Sequence, residues 1–267
     1  AITPMGRQHE NDREATAADL KWLADPAEEP EPFGDGGTKM AWNTFNVVSI
    51  YPNGNPVMSD VNQRWVGDCC ACAVIASMAY LYPRFVKHII KDNMDKTYTV
   101  TMYDPKGKQI SVGVGGDYFI GNSGDLGALG GRNKEVTWAT ILEKAMIKWN
   151  QIYQGSSNVG GIGTEYVSAI FTGDGESVGF GANALIAEDL QRAVEVSLKQ
   201  GRLVIGGFTR SGEQVDQNWQ TTSGHAFTFI LPDDNTHLFK MRNPWGGTTD
   251  GVMKVKDDGR IPPMIDL

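Results

Sequence analysis

The sequence predicts an α+β protein of two packed lobes with a cleft between them. Three observations point that way: helical periodicity up to about residue 170, a change of character at Phe171-Thr172-Gly173, and three strand-like runs beyond it, "LVIGGFT", "HAFTFIL" and "HLFKMRNPW". The 267 residues are enough for one large domain or two lobes, each with a core. A net charge of −8 supplies no basic patch and argues against a nucleic-acid partner. No apolar run is long enough to span a bilayer.

Residues 1–40 differ from the rest. "RQHENDREATAADLKWLADPAEEPEPFGDGGTK" is acidic and ends in Pro, Gly and Glu, which reads as a short helix and a linker, or as an inhibitory or processed pro-segment. Residues 41–170 form the helical part. After an irregular, aromatic-containing stretch to about Pro56, "ACAVIASMAYLY" sets Ala73, Ala76 and Tyr80 on one face among small residues, a helix packed on nearly all sides. Gly67-Asp68 ahead of it supply a turn and an acidic group suited to a helix start. "TYTVTMYDPKGKQISVGV" alternates around a turn and predicts a hairpin. "GNSGDLGALGGRN" reads as a surface loop, since no buried strand leads into it as a nucleotide-binding turn requires. "EVTWATILEKAMIKWNQIY" places Trp138, Ile141, Leu142 and Ala145 together, an amphipathic helix. Residues 171–267 follow with one helix, "AEDLQRAVEVSLKQGR", stopped by Gly201, and then the sheet.

All three cysteines, Cys69, Cys70 and Cys72, lie in one helix start. Adjacent Cα atoms about 3.8 Å apart are too close for an unstrained bridge, so this is no disulfide framework. Free thiols fit a reducing compartment and fit an exported thiol enzyme equally well. Cys69 falls in the first helical turn, where free backbone N–H groups favour a thiolate. Cys70 lies about 100° further round, and Cys72 is one turn deeper, as an inert buried thiol would be.

A base for that thiolate should be a histidine. His9 is in the leader, His88 in a basic helix end, and His237 in or beside a turn. His225 opens an apolar strand and projects from a sheet edge. The next element, "MRNPWGG", brings Asn243, whose amide oxygen can accept the imidazole's other N–H, and Trp245, which can shield that bond from water.

Together these segments resemble the calpain-type cysteine proteases of the papain-like fold. The match runs through Gln63, Gly67-Asp68-Cys69, Ala73 and Ala76-Ser77, then Trp138 to Ala145, "FTG" at 171–173, "GHA" at 224–226 and "RNPWG" at 242–246. The resemblance implies a helical lobe carrying the nucleophile Cys69 and an antiparallel β-sheet lobe carrying the base His225 and the orienter Asn243. It implies Gln63 as oxyanion donor and a protein or peptide as substrate. It also implies Ca²⁺ at Asp60 and Glu143, with backbone carbonyls of "YPNGNP" completing the shell. Two features depart from the family: Cys70 stands where it has tryptophan, and no EF-hand loop is recognisable. The competing readings are a thiol–disulfide oxidoreductase, since Cys69–Cys72 is C-x-x-C at a helix start, an inactive peptide-binding relative, and a transglutaminase-like acyl transferase, which Asn243 disfavours.

Overall fold

Strict alternation between Tyr98 and Val114 builds the hairpin that the sequence predicts, with Tyr98 paired to Val114 and Tyr103 to Gln109. In this computed structural model the described residues are 2–4, 12–33, 40–174, 176–179, 187–208, 212, 214–216, 219–220, 223–231, 239–246, 251–253 and 264–265. The elements in chain order are β1 (Ile2–Pro4), α1 (Ala17–Ala24), β2 (Ala41–Thr44), α2 (Cys69–Leu81), α3 (Pro83–Ile89), β3 (Ile90–Asp92), β4 (Tyr98–Tyr103), β5 (Gln109–Val114) and β6 (Asp117–Ile120). They continue with α4 (Trp138–Tyr153), α5 (Thr164–Thr172), β7 (Glu176–Val178), α6 (Ala187–Lys199), β8 (Ile205–Phe208), β9 (Gln214–Asp216), β10 (Trp219–Gln220), β11 (Ala226–Ile230), β12 (Phe239–Arg242), β13 (Gly251–Met253) and β14 (Met264–Ile265). Helix and strand are thus mixed, as an α+β class requires.

The largest sheet is antiparallel, in the order β13-β12-β11-β8-β14. A three-stranded sheet, β3-β4-β5, and a two-stranded one, β2-β6, belong to the first part of the chain. One apolar cluster gathers α2, α4, α5 and β3–β6. A second joins Leu190, Val194 and Leu198 of α6 to Phe208, Phe227, Phe229 and Met241 of the large sheet. Helix α2 is buried without a break from Ala71 to Ala79, as its small residues predict.

Helix α4 is not the half-exposed helix its periodicity suggests. Every residue except Gln151 and Ile152 is buried, including Glu143, Lys144 and Lys148. The cause lies in residues 12–33, which the composition suggests as a leader and linker but which pack as a strap across α4 and β5. Leu23 is fully buried. The Arg13 N–H donates to Tyr153 O (2.8 Å), and the Trp42 indole N–H donates to Pro30 O (3.0 Å). The strap comes so close to β5 that a Cβ on Gly113 would stand 2.5 Å from Ala24 O, and one on Gly115 2.5 Å from Pro26 O. Glycine at these two positions is what lets the backbones touch.

Candidate active site

Helix α2 starts at Cys69, and its first intrahelical bond runs from the Cys72 N–H to Asp68 O (3.0 Å). The Cys69 N–H is therefore one of the helix's unpaired N-terminal donors. Asp68 occupies the N-cap position but makes no side-chain cap bond. Its carboxylate turns inward instead, accepting from the Cys72 thiol at 3.3 Å.

Strand β11 lies against α2, held by the Thr228 hydroxyl donating to Ala73 O (2.8 Å). His225 immediately precedes β11 and Asn243 immediately follows β12. Because these strands are antiparallel neighbours, with Thr228 opposite Arg242, both residues emerge at the same end of the sheet. His225 Nε2 lies 2.7 Å from Asn243 Oδ1. A carbonyl oxygen only accepts, so Nε2 carries the proton there, and Nδ1 is the ring nitrogen left for sulfur. Asn243 Oδ1 is fixed from a second side by the Trp245 N–H (3.0 Å). The Trp245 indole covers the imidazole at 4.4 Å, and the Phe227 ring meets it edge-on at 5.0 Å.

The half-buried Cys69 thiol sits beside the Cys70 thiol, the His225 ring and the Ala226 N–H, each of which favours its ionised form by hydrogen bonding. The Cys70 bond acts most strongly. With the bonds from His225 and Ala226 and the charge of His225, it overcomes the opposing effect of burial and brings the thiol down to about 4. Cys70 is pushed far up by the same bond and by burial.

The loop leading into α2 is sutured to this arrangement. The Gln63 N–H donates to Pro244 O (2.7 Å), and its side-chain amide donates to Val66 O (2.9 Å), leaving one amide N–H. Arg242, buried at the end of β12, donates to Val61 O (2.7 Å). The glycine-rich stretch at 121–133 braces the loop from behind. Asn62 and Gly130 exchange backbone bonds, and the Trp65 N–H donates to Gly127 O (3.0 Å). Residues 126–131 are accordingly buried, and the surface loop expected there is reduced to 122–125 and 132–133.

Cysteine, imidazole and amide set side by side can supply a nucleophile, a base and an orienter. The sequence model for the calpain family cysteine proteases matches residues 42–251, most of the chain. The protein belongs to the calpain family. No curated protein matches it.

Membership raises the question of calcium at Asp60 and Glu143, and the residues as arranged do not fit that ion. Asp60 Oδ1 accepts from the Asn53 amide (2.7 Å), while Oδ2 accepts from the Val57 N–H (3.1 Å) and the Trp138 indole (2.8 Å). The carboxylate fastens the "YPNGNP" loop to α4. Glu143 accepts from the Leu129 N–H (3.0 Å) and faces Asp68 and Cys72, the three ligand atoms lying within 4.8 Å of one another. Two buried carboxyls and a thiol are far from the roughly six to eight oxygens calcium takes. Burial pushes Asp68 up to about 6 and Glu143 well above its ordinary value, so the pair shares a proton.

Of the other histidines, His88 is exposed on α3, and His9 and His237 lie outside the described residues. Sequence reasoning missed Cys70 as a donor, Arg242 as a clasp and the Asp68–Glu143 pair. A basic residue at the end of a strand, directly before Asn243, was the one available signal for Arg242. Nothing in the sequence shows which way Asp68 turns. Among the described residues no single helix is long and apolar enough to cross a membrane.

Proposed function

We propose that the protein is a cysteine endopeptidase working through Cys69, His225 and Asn243, in a groove between a helical lobe built on α2 and α4 and a sheet lobe built on β8–β14. The observation that carries this is the His225 ring, which lies 2.7 Å from Asn243 Oδ1 on one side and helps hold the Cys69 thiol low on the other. Such a grouping suits the three roles of nucleophile, base and orienter.

His225 Nδ1 takes the Cys69 proton, and the thiolate attacks a peptide carbonyl. The Cys69 N–H and the remaining Gln63 amide N–H hold the oxyanion; loss of one such donor typically slows turnover by about 10²–10³. The protonated imidazole then gives its proton to the leaving amine. Water, activated by the same ring, hydrolyses the thioester. Asn243 keeps the imidazole in the tautomer that points Nδ1 at sulfur, and Trp245 excludes water from the bond between them. No step runs through a metal.

Hydrolysis of a quenched fluorescent peptide tests the reading. Cys69→Ala is expected to abolish it, His225→Ala to reduce it at least about 10³-fold, and an epoxide-type thiol inhibitor to label Cys69 alone. Label on Cys70, or an active Cys69→Ala protein, would overturn it.

A further inference from the structure

The nucleophile helix carries a third thiol that the hydrolytic mechanism leaves idle. Cys72 is fully buried and donates to Asp68 at 3.3 Å, one helical turn behind Cys69. Ideal helix geometry puts the Cα atoms of residues three apart at about 5 Å. That lies inside the range of about 4.4–6.8 Å that a disulfide spans, whereas neighbours such as Cys69 and Cys70, at about 3.8 Å, fall below it. The thiol touching Cys69 is thus the wrong partner for a bridge, and the thiol one turn away is the right one.

The surroundings suit the same assignment. Cys69 is half-buried at the helix start, where an oxidant can reach it, and Cys72 is shielded from any oxidant of its own. When Cys72 swings from Asp68 toward Cys69, Asp68 keeps Glu143 as a partner, so no carboxyl is stranded.

We propose that Cys72 is the resolving thiol for Cys69, so that oxidation by a peroxide ends in an intrahelical Cys69–Cys72 disulfide that silences the site reversibly. In the first step the Cys69 thiolate attacks hydrogen peroxide. The O–O bond breaks, an S–O bond forms, sulfur gives up two electrons, and hydroxide leaves, giving a sulfenic acid. In the second step the Cys72 sulfur attacks Cys69, the S–S bond forms and the S–O bond breaks, and the Cys72 proton departs with the hydroxyl as water. A dithiol such as dithiothreitol returns both thiols and is itself oxidised to its cyclic disulfide. The bridge draws the Cys69 sulfur away from His225 and also prevents further, irreversible oxidation.

The inference rests on Cys69 being the ionised thiol of the proposed peptidase, and its readout is mass rather than turnover. The full chain is treated with hydrogen peroxide, and the tryptic peptide between Arg64 and Arg84 is weighed without reduction. The expected result is a loss of two hydrogens mapped to Cys69 and Cys72, reversed by dithiothreitol together with activity. Cys72→Ser, which keeps the size and the bond to Asp68, should instead gain two or three oxygens at Cys69 and stay inactive after reduction. In Cys70→Ala the two-hydrogen loss should persist. A loss persisting in Cys72→Ser, or a wild type that gains oxygen without losing hydrogen, would overturn the proposal. A chain that forms the bridge but hydrolyses no peptide would sink the peptidase reading and leave this one standing.

Discussion

Helix α4 buries ionisable groups on two faces, and they are treated in opposite ways. Toward the strap, Lys144 pairs with Glu29 at 2.7 Å, donates to Asp117 O, and lies 4.6 Å over the Trp42 ring. Lys148 donates to Asp25 O (2.9 Å), Gly113 O (2.8 Å) and Trp22 O (3.4 Å). Toward α2, one residue along from Lys144, Glu143 meets another carboxyl. The cationic face is fully partnered and serves to fasten the fold. The acidic face sets like against like beneath the first turn of α2. Buried charge that is satisfied marks a structural joint, and buried charge that is crowded marks the place where the chain gave up stability.

The largest expected effect breaks the cationic side. Lys148→Met strands three carbonyls that have no water to replace the lost donor, and should destabilise the fold by roughly 2–5 kcal/mol in urea titration. Deleting residues 1–33 should act in the same direction, lowering the unfolding midpoint rather than raising activity; a faster, equally stable enzyme would restore the pro-segment reading of the leader.

The acidic side should respond differently. Glu143→Gln replaces the protonated carboxyl of the pair with a neutral amide of the same shape, so stability near neutral pH should change by less than about 1 kcal/mol. Its signature is in the pH dependence. Asp68 is raised by burial from 3.8 to about 6, so between those values the folded state holds more protons than the unfolded, and this pair makes stability fall as pH rises. Lys148, lowered by burial and by the charge of Lys144 from 10.5 to about 8, makes stability rise with pH between those values. Glu143→Gln should remove its own share of the first slope, keep the share that burial of Asp68 causes, and leave the second.

A smaller effect belongs to Cys70. Removing its thiol donor in Cys70→Ala should move the acid limb of Cys69 alkylation up from about 4 by roughly one pH unit or more, the worth of one hydrogen bond to an ion. An unmoved limb would assign the lowered thiol to His225 and the helix alone. The smallest effect is a chelator. With both Asp60 oxygens engaged, EGTA should alter turnover by less than about two-fold, and strong activation by Ca²⁺ would mean that Asp60 lets go of Asn53 and Trp138.

Much of this was legible in the sequence where local pattern decides structure. The start of α2, the hairpin β4–β5, and the strands bearing His225 and Asn243 follow from periodicity, glycine and proline. Helix α5 escaped notice because nine residues between glycines, several of them β-branched or aromatic, carry too little periodicity. The strap was illegible for another reason. Its anchors are backbone carbonyls gripped by Lys148, and a lysine in a helical pattern reads as solvent-facing until something is seen to cover it. The candidate site divides in the same way. Residue types were enough to single out Cys69, His225 and Asn243 as candidates, but the inward turn of Asp68 and the closed shell of Asp60 depend on partners far along the chain.

The clasp between Arg242 and Val61, and that between Gln63 and Pro244, join segments some 180 positions apart directly beside the reacting groups. A hinge cannot run through two such bonds without tearing both. Movement between these segments must therefore be taken up elsewhere, and Gln63, His225 and Asn243 travel as one block. For the proposed peptidase, this means that alignment of its chemistry is settled by folding and does not wait for a substrate.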